Sequence, residues 1–226
     1  MIYLYFNSFM INSIKTNLLW RDGKYIALFL LITGIISLKF FPILLIPIFG
    51  LFLFSFYFFR NPVRICNQQL TDENILVCPA DGKVVDISYD PAGGFKGYHY
   101  KISIFLSPLD VHVNWTPIAG MVEKIEYVPG KFMMAFLPKS SELNEHNDVI
   151  IRAHDGKQIL VRQIAGTVAR RIVCWLQQGQ EVKAGQKYGM IKFSSRIDLF
   201  LPENVKLELS INQKVIGGKT AIGRFL

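Results

Sequence analysis

The stretch IAGTVARRIVCWLQQGQEVKAGQKYGMIKF, residues 164–193, decides how the fold is read. Glycines fall at 166, 179, 185 and 189, with Val182 between the second and third. Only short strands fit between such glycines, and KAGQKYG has the composition of a tight turn leading into a return strand. AGTVARRIVCWL leaves room for one helical turn or more. The same grammar extends to both sides. GKVVDIS, HYKISIFL, GMVEKIEYV, NDVIIRA, QILVRQIA, YGMIKF, RIDLFL and VKLELSI are short runs, rich in β-branched and aromatic residues and bounded by turn formers. From residue 60 to 226 the chain therefore reads as one β-rich domain.

The glycine rhythm of residues 164–193 resembles the barrel-sandwich hybrid of lipoyl and biotinyl domains. The expected fold is mainly β: a barrel-sandwich-hybrid-like soluble domain. Carrier domains of that kind expose a lysine at a hairpin tip. Lys192 lacks the usual acidic and methionine neighbours, so the fold is suggested without the carrier function.

Hydrophobic residues make up 51% of the chain, and the excess is concentrated between Tyr25 and Phe59. Tyr25 to Leu38 falls short of the roughly 20 residues that span a bilayer, whereas Phe40 to Phe59 is long enough. Two arrangements fit: a helical hairpin that enters and returns, or one spanning helix preceded by an interfacial one. Lys15, Arg21 and Lys24 precede the apolar region, and Arg60 and Arg64 follow it. The positive-inside bias puts both flanks in the cytoplasm and favours an N-terminal helical membrane hairpin over residues 25–59, with residues 1–24 cytoplasmic. The expected location is the cell membrane, with the β-rich domain on the cytoplasmic side. The net charge of +8 then suits an anionic lipid surface and calls for no nucleic acid.

Cys66, Cys78 and Cys174 have no paired spacing and read as ordinary thiols. Four histidines are present. His99, His146 and His154 lie in turn-like or polar surroundings and read as solvated; His112, two residues after Asp110, reads on its own as locally bonded in a turn. No metal-ligand spacing occurs, so no metal is expected. Asp81 sits in the turn of CPADGKV. GGKT at 217–220 fails as a phosphate loop, because the required glycine is replaced by Gln213.

In MIKFSSRIDLFLP, residues 190–202, Ser194 and Ser195 have no base beside them in sequence. Together with FFRNP, PADGKV, LSPLDVHVN followed by TPIAG, and GKF at 130–132, this stretch forms an ordered set. The set resembles the phosphatidylserine decarboxylase proenzymes, particularly their short archaeal-type branch. The resemblance implies self-cleavage between Ser194 and Ser195 and conversion of Ser195 into a covalent pyruvoyl group. It also implies decarboxylation of phosphatidylserine to phosphatidylethanolamine. Carried over by motif, Ser195 is the nucleophile, His112 the base and Asp81 its partner. The implied partners are the phospholipid substrate, the membrane and the two cleaved chains of the protein itself, with an oligomer possible. Two positions depart from the family: Ser194 stands where glycine is usual, and Trp115 where relatives tend to carry a basic residue. The alternative reading is a membrane-tethered, non-catalytic binding or carrier module.

Overall fold

The computed structural model describes residues 22–134, 140–167, 171–192 and 195–226. The chain divides into two compact units, Met1–Val63 and Arg64–Leu226. The charged segment up to Arg21, with Lys15, lies outside the described residues.

In the first unit, helix α1 (Lys24–Phe40) and helix α2 (Leu45–Phe58) are joined by a 3-10 turn at Pro42–Leu44. Pro42 explains the break, because proline lacks an amide hydrogen and disfavours a helical residue before it. Gly34 of α1 lies against Ile48 of α2, and Leu30, Leu38 and Phe52 line the shallow cleft between the helices. Phe29, Ile35, Ile43, Ile46 and Phe49 are exposed. No helix among the described residues is long and apolar enough to cross a membrane.

The second unit is mainly β. Its elements are β1 (Ile75–Val77), β2 (Gly82–Tyr89), β3 (Tyr100–Leu106), β4 (Val113–Trp115), β5 (Gly120–Val128), the short helix α3 (Ser140–Leu143), β6 (His146–Arg152), β7 (Gln158–Ala165) and β8 (Ile172–Cys174). There follow β9 (Glu181–Val182), β10 (Lys187–Ile191), β11 (Ser195–Leu201), β12 (Val205–Leu207), β13 (Lys214–Val215) and β14 (Ala221–Phe225). An eight-stranded sheet has the order β13-β2-β3-β11-β7-β6-β5-β9, and two three-stranded sheets run β1-β14-β12 and β4-β10-β8. Helix formation anticipated within AGTVARRIVCWL is corrected for its described residues. Ile172 and Val173 favour an extended backbone and pair with Ile191 and Met190, while residues 168–170 lie outside the described residues.

Alternation along the strands builds the core. Val84, Ile102, Ile104, Val149, Val161, Ile197 and Leu199 are fully buried in one apolar cluster. Strand β11 is buried along its whole length. Arg196 and Asp198 alternate with the core residues and so face the other side of the sheet. There Arg196 forks Asp198 (2.5 and 2.8 Å), and the Ser141 hydroxyl donates to the same carboxylate. Beside them Arg162 forks Asp148 (2.6 and 2.7 Å) and donates to the Ser141 carbonyl oxygen at 2.8 Å. Helix α3 thus ties together two buried ion pairs on the second face of the sheet.

Candidate active site

Ser195 opens β11, opposite Leu106 of β3 and Ala165 of β7. It is fully buried in the middle of the large sheet, and its Oγ has no hydrogen-bond partner. A buried hydroxyl without a partner costs about 1–3 kcal/mol, a cost that the Ser103 and Tyr188 hydroxyls share in this unit. Ser194 lies outside the described residues.

His112 is also fully buried. It follows a turn in which the Asp110 carboxylate accepts the Ser107 N–H at 2.8 Å. His112 Nδ1 lies 2.9 Å from the Asp110 carbonyl oxygen. A carbonyl only accepts, so Nδ1 carries the proton and Nε2 is the basic nitrogen. The His112 carbonyl accepts the Ile191 N–H at 3.2 Å, which extends the β4–β10 ladder to the point where the chain leaves β10 for Ser195. His112 and Ser195 therefore belong to the same junction between the small and large sheets.

Asp81 stands elsewhere in the hydrogen-bond pattern. Its carboxylate is forked by Arg64, with Nη2 2.9 Å from Oδ2, and accepts the Gly217 N–H at 2.8 Å. None of its hydrogen bonds runs to His112. The link between the two regions is through the backbone: Trp115 N–H, three residues after His112, donates to the Pro79 carbonyl at 2.9 Å. Arg64, read from the sequence only as a topology-setting charge, also lies over the Trp115 ring at 4.9 Å. The GGKT segment packs against that indole, and the Gly217 carbonyl accepts from Arg64 at 2.8 Å. Gly218 has φ +70°, and a Cβ there would come within 2.7 Å of the ring. Lys187 lies opposite Trp115, and burial together with the nearby Arg64 charge lowers its pKa.

The other candidates separate clearly. His154 is exposed, His99 is half-buried, and His146 is buried with Nδ1 2.7 Å from the Asn144 carbonyl. The expectation of a solvated His146 is thereby corrected: its polar neighbours are themselves folded inward. Lys192 is only 8% exposed, which removes it as a carrier attachment point. Burial pushes the Cys78 thiol up to about 12, so it is no thiolate nucleophile at neutral pH. Sequence reasoning missed a chain of buried amides, Asn114–Gln163–Asn147, on the same side of the large sheet as Ser195. Its signal was present: Gln163 falls in the alternation of Ile159, Val161 and Ala165, on the otherwise apolar face of QILVRQIA.

The family model described as phosphatidylserine decarboxylase matches residues 51–223. A "Phosphatidylserine decarboxylase proenzyme" of Syntrophus aciditrophicus is 42% identical over 181 residues, covering 76% of this chain and 80% of that protein. The protein of the same name from Amoebophilus asiaticus is 47% identical over 174 residues, 76% of each chain. That from Cytophaga hutchinsonii is 40% identical over 215 residues, 91% of this chain and 96% of its own. The archaeal-type placement finds no support among these relatives.

Proposed function

The chain belongs to the phosphatidylserine decarboxylase family, and on that premise we propose that it is a proenzyme that cuts itself before Ser195 and then decarboxylates phosphatidylserine to phosphatidylethanolamine. The observation that carries this reading is the fully buried Ser195 Oγ without a hydrogen-bond partner, at the junction that also holds His112.

In the maturation step Ser195 Oγ attacks the preceding carbonyl carbon while His112 Nε2 takes its proton. Transfer of the acyl group from nitrogen to oxygen leaves an ester. Removal of the Ser195 α-proton expels the carboxylate of residue 194, and hydrolysis of the resulting dehydroalanine releases ammonia. Asp81 supports this arrangement from behind, holding the Pro79–Asp81 turn against β4, the strand that follows His112.

The site suits a pyruvoyl group made from Ser195. Ser195 is buried between Leu106 and Ala165, and its hydroxyl has no hydrogen-bond partner. Such a group supplies the electron sink for the pair left behind when a carboxylate departs as CO₂. Lys187 adds positive charge that favours an anionic lipid headgroup.

The same reading places the protein at the cell membrane, with residues 25–59 entering the bilayer from the cytoplasmic side as a helical hairpin. The exposed Phe29, Ile35, Ile46 and Phe49 support it, since a sheath of apolar side chains is stable in lipid. For the β unit we read a barrel-sandwich-like arrangement, supported by the short strands β8, β9 and β10 within residues 164–193.

Intact-mass measurement tests the function. Expected are fragments 1–194 and 195–226, the latter one ammonia lighter than a serine-started peptide, in a preparation that releases CO₂ from phosphatidylserine vesicles. A free serine at the start of the second fragment, or a single uncut chain, overturns the proposal.

A further inference from the structure

The strands of the large sheet end in two sets of loops, and the sets differ. Ser195 opens β11 opposite Leu106, the last residue of β3, and Ala165, the last of β7. The β5–β6 connection lies at the same end, because Val128 of β5 pairs with His146 and His146 with Ile164. In the turn after β3, Leu109 is 64% exposed; in the segment after β5, Phe132 and Met134 are 39% and 52% exposed. The loops at the other end, residues 90–99, 153–157 and 202–204, expose no large apolar side chain among the described residues. Apolar side chains gathered at one end and held out into water mark a contact surface.

Buried groups beside Ser195 hold them there. Asn144 is fully buried, and its Nδ2 donates to the Met133 and Ala165 carbonyl oxygens, each 2.8 Å away. Its Oδ1 accepts the Met133 N–H at 3.0 Å. One side chain thus clips the backbone between Phe132 and Met134 to the register partner of Ser195. On the β3 side, Asp110 closes the turn that carries Leu109. Its N–H donates to the Ser107 carbonyl at 3.0 Å, and its carboxylate accepts the Ser107 N–H at 2.8 Å, directly after Leu106. The charge at this end is basic. Lys131 and Arg171 are exposed, and the Arg171 carbonyl accepts the Lys192 N–H at 3.2 Å. Against them, residues 107–112, 129–134 and 140–145 expose one acid, Glu142.

We propose that this rim, Leu109, Phe132 and Met134 with Lys131 and Arg171, is a docking surface for the headgroup layer of a bilayer that carries phosphatidylserine. The apolar side chains enter the boundary between headgroups and acyl chains, and the two cations meet the net negative charge of that lipid. Seated in this way, the Ser195 end of the sheet receives a headgroup without drawing the lipid through water. The contact is shallow and reversible: it orients the β unit on the surface and does not anchor the chain. The proposal rests on phosphatidylserine being the substrate, as read above.

The test uses the full chain in vesicles of phosphatidylserine and phosphatidylcholine. An environment-sensitive fluorophore is attached through Leu109→Cys, Met134→Cys or, at the other end of the sheet, Asp155→Cys. The background is Cys174→Ser, which leaves only the buried Cys66 and Cys78. Quenchers carried on lipid acyl chains should reach the labels at 109 and 134, and aqueous iodide should not; the label at 155 should show the reverse. Labels at 109 and 134 open to iodide overturn the proposal. Labels shielded from both quenchers overturn it too, because a second copy of the chain would then cover the rim. In a second arm Leu109→Ser, Phe132→Ser and Met134→Ser are combined, and CO₂ release is compared between vesicles and short-chain phosphatidylserine dispersed as monomers. The ratio of the two rates is expected to fall about tenfold, since each lost apolar side chain weakens the seat on the bilayer. An unchanged ratio overturns the proposal. A native chain that releases no CO₂ from either substrate overturns the reading of function instead.

Discussion

Arg64 and Asp81 form a two-pronged ion pair across 17 residues of sequence, with side-chain exposures of only 14% and 13%. Removing one partner of a buried pair leaves the other charge uncompensated, at a cost of about 3–5 kcal/mol. Asp81→Asn and Arg64→Ala are therefore each expected to lower the melting temperature by about 6–20 °C, at roughly 2–4 °C per kcal/mol for a domain of this size. The double variant should lose less than the sum. Thermal denaturation on a Ser195→Ala background checks this without interference from cleavage. Additive losses would show that the pair does not act as a unit.

His112→Ala is expected to slow self-cleavage by about 10²- to 10⁴-fold, the usual contribution of a positioned general base. A gel time course reads the effect. The variant chain should remain folded and full-length, and cleavage on the native timescale would assign the base elsewhere.

The second buried pair gives a pH dependence. Burial alone would raise the Asp148 carboxyl, but the hydrogen bonds and charge of Arg162 outweigh it and hold it below the ordinary carboxylate range. Its contribution to stability is therefore present above the unfolded value of about 3.9 and is lost as pH falls through the lower folded value. Arg162→Met removes most of the compensation, leaving Lys96 at 3.2 Å as the remaining cation, so burial pushes the carboxyl up from its native value. The deficit against the native chain, about 3–5 kcal/mol at pH 7, should narrow on going to pH 4.5 as Asp148 takes up a proton. Urea denaturation at the two pH values measures it. A deficit unchanged by pH would show that Asp148 stays ionised without its partner.

Deleting residues 1–60 is expected to move the protein from the membrane pellet to the supernatant, because the exposed apolar side chains of α1 and α2 go with them. Reporter fusions after residue 15 and after residue 64 should both read as cytoplasmic if the pair enters and returns. A cytoplasmic signal from only one would establish a single crossing instead.

Every candidate strand read from the sequence overlaps an observed one, and all of these but the three-residue β12 span five to nine residues, enough alternation to be seen. Strands β4, β9 and β13 span only two or three residues and have no periodicity to detect. At the candidate site, Ser195 and His112 could be singled out by the resemblance because each sits inside a local motif. The Arg64 clasp on Asp81 could not, since nothing near either residue encodes the other. His146 was misread for a related reason. A polar stretch looks solvated in sequence, whereas here Asn144 spends its side chain on the Met133 and Ala165 backbone and Asp148 spends its own on Arg162.

The position of Ser195 at the head of the strand between β3 and β7 has a consequence for inheritance within the molecule. A cut there frees a new terminus but no separable piece. Residues 195–226 furnish the middle strand of the large sheet, its β13 edge, and two of the three strands of β1-β14-β12. Without them β3 and β7 would stand as naked edges, open to any passing strand. Each mature molecule must therefore keep for life the tail it was translated with. Differently tagged populations, once mature, will not trade their short chains, and the two pieces made from separate messages will not find each other.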